Sequence, residues 1–348
     1  MSQRPTIRAG ALAQAARDTP LAAATLPAAT PAATPATEPA RAAAGLPGTL
    51  PRNLVALSIL NPDGTETLGV KTPAGVVDVA AASRALALPA PATLEALLRG
   101  GSQADLDALV SAAVQQKVAL VNEASIKHGR LLTNPGKIVC VGLNYRQHAA
   151  ESGAAPPRLP PLFNKYNNAL AAHGATVKLP AKDLAYKIDY ETELLVVIGK
   201  AARDVSVADA LNYVAGYSIG HDLSARDLQL ELPAGQWMIG KTLDGFAPIG
   251  PYFVSSDLVR DPDALHLETR VNGVRVQSDN TKDFIFDVPY LVSYISKHFT
   301  LQPGDIIFTG TPAGVILGRP KSQQLWLKAG DEVVSVIDKL GELRFTLA

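Results

Sequence analysis

The chain has 348 residues, with 32 Lys plus Arg set against 32 Asp plus Glu, so its formal net charge is zero. That balance offers no electrostatic footing for nucleic acid or for an anionic membrane surface. The single cysteine, Cys140, excludes an internal disulfide framework and any cysteine metal cluster, and no uncharged apolar run reaches the about 18 residues of a membrane span.

Residues 1–52 are biased toward Ala, Pro and Thr. Repeated Pro forbids a regular helix, and Ala alone buries too little to order a segment. The expectation is a disordered tail, with a cleaved N-terminal leader as the alternative, on a protein of the cytoplasm. Residues 53–130 read as a small α+β module. Strand-like runs at 54–59 and 68–71 flank the turn Asn61-Pro62-Asp63-Gly64, a third follows at 76–79, and helical spacing appears over 93–99 and 106–114. No reactive constellation shows there, so the module reads as structural.

From 131 to 348 the strand candidates are 137–142, 192–198, 214–221, 247–254, 266–271, 305–309 and 332–337. Helix candidates are 207–213, after Ser206, and 288–297, after Asp287, both flanking residues being good N-caps. Strands outnumber helices, no βαβ alternation is visible, and neither G-x-G-x-x-G nor a P-loop occurs. The fold class is α+β and strand-rich. Cys140, inside an apparent strand, reads as a small buried residue.

The acids Asp189, Glu191 and Glu193 alternate directly before the apolar run 194–198. On a strand, i and i+2 share a face, so Glu191 and Glu193 project together and require a proton, a Lys or Arg, or a metal to relieve their repulsion. Asp222 ends a second apolar strand. The three carboxylates form an all-oxygen donor set suited to Mg2+ or Mn2+, or to Ca2+; the bland alternative is a solvated strand end paired to Lys187, Arg203 or Arg226. His148 and Glu151 share one side of a helical turn, as a base oriented by a carboxylate or as a surface pair. Lys241 can hold a substrate carboxylate or oxyanion, or be an ordinary loop Lys. The strand running into Thr309-Gly310-Thr311-Pro312-Ala313-Gly314 offers backbone N–H groups and the Thr311 hydroxyl to an anion.

In this order, the segments G-L-N-Y-x-x-H-x-x-E at 142–151, D-Y-E-x-E-L at 189–194, D-x-S-x-R-D-x-Q at 222–229, G-K-x-x-D-x-F-x-P-x-G-P at 240–251 and T-G-T-P-x-G-V at 309–315 resemble the fumarylacetoacetate hydrolase family. The resemblance covers roughly 136–348. It implies a mixed β-sandwich-like roll with few helices, usually a homodimer. It matches Glu191, Glu193 and Asp222 to metal ligands, His148 and Glu151 to an acid–base dyad on a lid segment, and Lys241 to an oxyanion contact. Tyr145, Arg226, Gln229, Gly310 and Thr311 match positions lining the substrate pocket. The family commonly has Asn where His221 precedes Asp222, and Pro where Tyr166 follows Lys165.

The activity implied is metal-dependent hydrolysis of a C–C bond in a small 1,3-diketo acid, such as an acylpyruvate, as in the breakdown of aromatic compounds. His148 would deprotonate the water and Lys241 and the 310–311 turn would carry developing charge. The alternatives on the same residues are an oxaloacetate-type decarboxylase, a hydroxymuconate-type isomerase and a ureidoglycolate lyase; a non-catalytic binding protein is the remote one.

Overall fold

The computed structural model describes residues 48–348, apart from Ser152, Ala154 and Ala234. The tail expected over 1–52 therefore lies outside the described residues up to position 47. Its last residues do not behave as a tail: Thr49 donates its N–H to Leu98 O and its hydroxyl to Gly101 O, and Pro51 is buried.

Eleven strands among the described residues form one mixed sheet. Its order is Leu120–Val121, Gly75–Asp78, Glu66–Thr72, Val55–Leu60, Ala247–Ser255, Val214–His221, Thr192–Ile198, Ile306–Phe308, Ile138–Val141 and Leu162–Lys165, with Leu170–Ala171 beside Ala247–Ser255. The pairing of Ile306–Phe308 with Ile138–Val141 is parallel, as is that of Leu170–Ala171 with Ala247–Ser255, and the rest are antiparallel. The segment expected as a small module, 53–130, extends this same sheet, because Val55 pairs with Val254. A second sheet holds Val274–Asn280, His266–Val271, Glu332–Ile337, Gly341–Leu347 and Thr176–Val177. The strand-rich, mixed-sheet architecture with few helices is the one expected.

The Thr192–Ile198 strand is buried along its whole length. Its unbroken apolar run follows from having both faces covered. Leu195 and Val197 enter one core, packed beneath Leu97, Leu106 and Leu109 of the N-terminal helices. Leu194, Val196 and Ile198 enter the other, with Leu291, Val292 and Ile295 of the Val288–His298 helix. Asp287 caps that helix by accepting the Tyr290 N–H at 2.8 Å. The helix expected over 207–213 is reduced to a 3-10 turn, Ala210–Tyr213. Ser206 accepts the Asp209 N–H at 3.1 Å, as an N-cap does, but the turn it starts is closed by i+3 backbone bonds and runs directly into the strand that begins at Val214. No helix among the described residues is long and apolar enough to cross a membrane.

Candidate active site

The site lies where two central strands run out. Glu193 is the second residue of the Thr192–Ile198 strand, Glu191 immediately precedes it, and Asp222 follows the neighbouring Val214–His221 strand. Asp222 N–H donates to Glu191 O at 2.9 Å, locking the two chain segments together. Glu191, Glu193 and Asp222 are all buried, and one oxygen from each lies within 4.8 Å of the others.

Three cations hold this anionic group. Lys241 Nζ donates to Glu191 Oε2 and to Asp222 Oδ2, both at 2.7 Å. Arg226 donates from Nη2 to Glu191 at 2.6 Å, from Nε to Asp189 at 3.0 Å and from Nη1 to Gln229 at 2.9 Å. Lys165 Nζ stands 2.6 Å from Asp222 Oδ1 and donates to the carbonyls of Leu223, Phe246 and Lys241. Burial pushes the Glu191 carboxyl up, but Lys241 and Arg226 outweigh it and hold the group down at about 2. Glu193 moves the other way. Burial and then the neighbouring Asp222 and Glu191 raise it well above the usual carboxylate range, against Lys241 and the Gly310 N–H. Burial lowers Lys165, partly offset by Asp222, while the attraction of Asp222 and Glu191 for Lys241 outweighs its burial and raises it.

Of the cations expected opposite these acids, only Arg226 is there. Lys187 pairs with Glu231, and Arg203 donates to the carbonyls of Ser296 and Lys297. The triad fits a divalent cation by its chemistry. The donors are all carboxylate oxygens, Asp222 Oδ1 lacks an aligned hydrogen bond, and Glu193 receives only the Gly310 N–H among the described residues. Lys241 sits between Glu191 and Asp222 and provides the positive charge there.

The Lys241 backbone is placed by a close approach. The Trp237–Lys241 helix lies against the π-helical turn Asp227–Glu231, and a Cβ on Gly240 would stand 2.6 Å from Gln229 N. Glycine is required because backbone, which cannot yield, occupies that space. Departures from helical geometry of this kind recur at functional sites. His221, the substitute for Asn, accepts the Glu191 N–H at Nδ1 and meets Thr192 Oγ1 at Nε2. Burial pushes its imidazole down to about 3, so it remains neutral and acts on the backbone that carries Glu191.

His148 and Glu151 lie on the short Arg146–Glu151 helix, with Nδ1 3.5 Å from Glu151 Oε2. Glu151 also accepts the Gly314 N–H at 3.0 and 3.2 Å. A cavity of about 170 Å³ brings His148, Glu191, Glu193, Arg226, Gln229, Lys241 and Thr311 together. Its remaining wall is apolar, from Leu143, Phe163, Leu230, Trp237 and Leu317, with Phe163 edge-on to Trp237 and 5.1 Å from the Lys241 ammonium.

Two expectations are corrected here. Tyr145 does not line the cavity: its ring is fully buried edge-on against Phe284, to whose backbone the Tyr145 backbone also bridges. Two donors expected in the 310–311 turn are already engaged. Gly310 N–H is committed to Glu193 Oε2 at 2.7 Å, and the Thr311 hydroxyl donates to Thr192 O while accepting from Gln277. The turn positions a carboxylate, and Thr311 reaches the cavity as a wall.

Lys165, Asp189 and the aromatic pair Phe163–Trp237 were not among the site residues read from the sequence. Asp189 carried a signal, being the third acid in the alternating series 189, 191, 193. Lys165 carried a fainter one, sharing a strand face with Phe163.

Residues 137–348 match the family described as Fumarylacetoacetate (FAA) hydrolase C-terminal. The chain belongs to the fumarylacetoacetate hydrolase family. Within it, the chain is 49% identical over 217 residues to a Fumarylacetoacetate hydrolase domain-containing protein 2 homolog of Dictyostelium discoideum, covering 60% of this chain and 70% of that protein. It is 37% identical over 267 residues to Oxaloacetate tautomerase Fahd2a, mitochondrial, of Rattus norvegicus, covering 77% and 82%. The structure of a fumarylacetoacetate hydrolase from psychrophilic Exiguobacterium antarcticum superposes with a TM-score of 0.70 at 31% identity, over 85% of this chain and 99% of that one. Membership in this enzyme family is thereby shown.

Proposed function

We propose that the chain catalyses keto–enol chemistry on a small 2-keto acid, and that oxaloacetate tautomerisation is the reaction it fits best. The observation that carries this is the cavity: about 170 Å³, with Lys241 and Arg226 set against Glu191 and Glu193, one histidine, and a largely apolar remaining wall. It is well below the roughly 300–1,000 Å³ usual for larger ligands. A four-carbon acid suits it better than an extended diene diacid. Lys241 and Arg226 are the groups able to hold a carboxylate or an enolate oxygen. His148, kept in one orientation by Glu151, exchanges the proton on the carbon beside the ketone, a role typically worth roughly 10²–10⁴ in rate. The apolar wall excludes water, which strengthens the charge interactions inside. Glu191, Glu193 and Asp222 would hold the divalent cation, Mg2+ or Mn2+ with Ca2+ as the alternative; when bound it supplies Lewis-acid stabilisation of enolate charge. The name of the rat relative supports this reading.

The second reading is the C–C hydrolysis implied by the sequence, favoured by the His148–Glu151 dyad, an arrangement able to activate water. Enol oxaloacetate, oxaloacetate and an acylpyruvate, each with Mg2+, Mn2+ or EDTA, separate the readings. Faster loss of the enol signal without new products, abolished in His148→Ala, is the result expected. A second carboxylic acid released from acylpyruvate establishes hydrolysis, CO2 release establishes decarboxylation, and no turnover on any of them refutes both readings. The homodimer implied by the family is likewise proposed; sedimentation at twice the 36.5 kDa chain mass supports it and sedimentation at one chain mass refutes it.

A further inference from the structure

The 314–319 turn is tied to both halves of the site. On one side, Ile316 and Leu317 donate their N–H groups to Asp189 at 2.8 and 3.0 Å, and Asp189 receives Arg226, which holds Glu191. On the other side, Gly314 N–H donates to the Glu151 carboxylate. Arg319 Nη2 closes the turn on itself through Tyr190 Oη at 2.5 Å and Gly314 O at 3.4 Å.

The turn also passes close to Glu151 at Gly318. A Cβ built there would stand 2.5 Å from both Cγ and Oε1 of Glu151, closer than real Cβ atoms approach a neighbour. The Gly318 backbone is not in the left-handed region, so its φ does not demand glycine. Space does. The obstructing group is the end of a flexible side chain, which a methyl would displace without moving backbone.

We propose that Gly318 is a positioning residue for proton transfer: its bare Cα forms the slot in which Glu151 lies, with the carboxylate held by Gly314 N–H and turned toward His148 Nδ1. This rests on the reading of His148–Glu151 as the proton-transferring pair. A carboxylate at Nδ1 fixes the proton there and so sets the tautomer and orientation of the ring. Displacing Glu151 removes this restraint on the imidazole while leaving the Lys241 and Arg226 anchors untouched. The cost therefore falls on kcat and not on KM.

The test compares wild type, Gly318→Ala, Glu151→Ala and the double variant in two measurements. The first is turnover of enol oxaloacetate. Gly318→Ala is expected to lower kcat about as far as Glu151→Ala, with KM within twofold, and the double variant is expected to be no worse than Glu151→Ala. The second needs no substrate. Gly318→Ala is expected to shift the Gly314 amide proton resonance and lower the melting temperature in the wild-type background, and to leave melting unchanged where Glu151 is already Ala. Wild-type kcat in Gly318→Ala with an unmoved Gly314 amide overturns the proposal. So does an equal loss of melting temperature in both backgrounds. Full activity in Glu151→Ala instead refutes the dyad, while melting in the two backgrounds still reports on the slot.

Discussion

Lys165 illustrates how much one side chain can organise. Its ammonium is buried at the end of the Leu162–Lys165 strand, facing Asp222 and three backbone carbonyls. Desolvation offsets most of the attraction in a buried ion pair, but removing one partner strands the other. Lys165→Met is expected to destabilise the fold by about 3–5 kcal/mol in urea unfolding, and Asp222→Asn in the same chain to restore part of it. A change below about 1 kcal/mol would show that Asp222 does not depend on Lys165. At this scale Glu191, Glu193, Asp222, His148, Glu151 and Lys241 were legible, since their types and spacings are chemical signals in themselves. Tyr145 was misread, and the Gly310 N–H and Thr311 hydroxyl are engaged within the protein. Whether a phenol faces a pocket or a core, and whether an N–H is already engaged, depends on partners distant in the chain.

Between elements, the site depends on how closely the Trp237–Lys241 helix approaches the Asp227–Glu231 turn. Gly240→Ala places a methyl against Gln229 backbone, so the helix and Lys241 must retreat. A fall of kcat by at least about tenfold with unchanged far-UV circular dichroism is expected, since a misplacement of about 1 Å can cost 10²-fold. Unchanged kcat would separate Lys241 from that contact. A second contact joins His128, which bridges to the Val55–Leu60 strand through Ile59, with His173 at 4.7 Å between ring centroids. Burial, then the charge of His173, pushes His128 down to about 4. The folded state thus favours neutral His128, while the unfolded chain protonates near the ordinary 6.5. This contribution is full above 6.5 and is lost as pH falls toward 4. His128→Asn is expected to flatten the dependence of unfolding free energy on pH within that window. Parallel profiles for the two proteins would contradict it. Long apolar strands such as Thr192–Ile198 were readable because both faces are covered. The 207–213 helix was not, because the segment has only a 3-10 turn's length before the strand that begins at Val214 takes over its backbone.

Across the whole molecule, a cation bound at the carboxylate triad should register as global stability, because it binds the folded state alone. At a hundred times its dissociation constant it adds about 2.7 kcal/mol. The melting temperature is expected to rise by several degrees with Mn2+ or Mg2+ in wild type and to stay level in Glu193→Gln. No rise in wild type at millimolar metal would refute the triad as a cation site. By itself the sequence determined the strand-rich class, the alternating acids and the ordered family motifs, because strand periodicity and residue chemistry are local properties. Only the tertiary structure decided that Lys165, Asp189 and the Phe163–Trp237 wall join the site, that Tyr145 leaves it, and that Glu151 rests against Gly318. Each of these depends on the distance between chain segments remote in sequence, which the packing of the sheet sets.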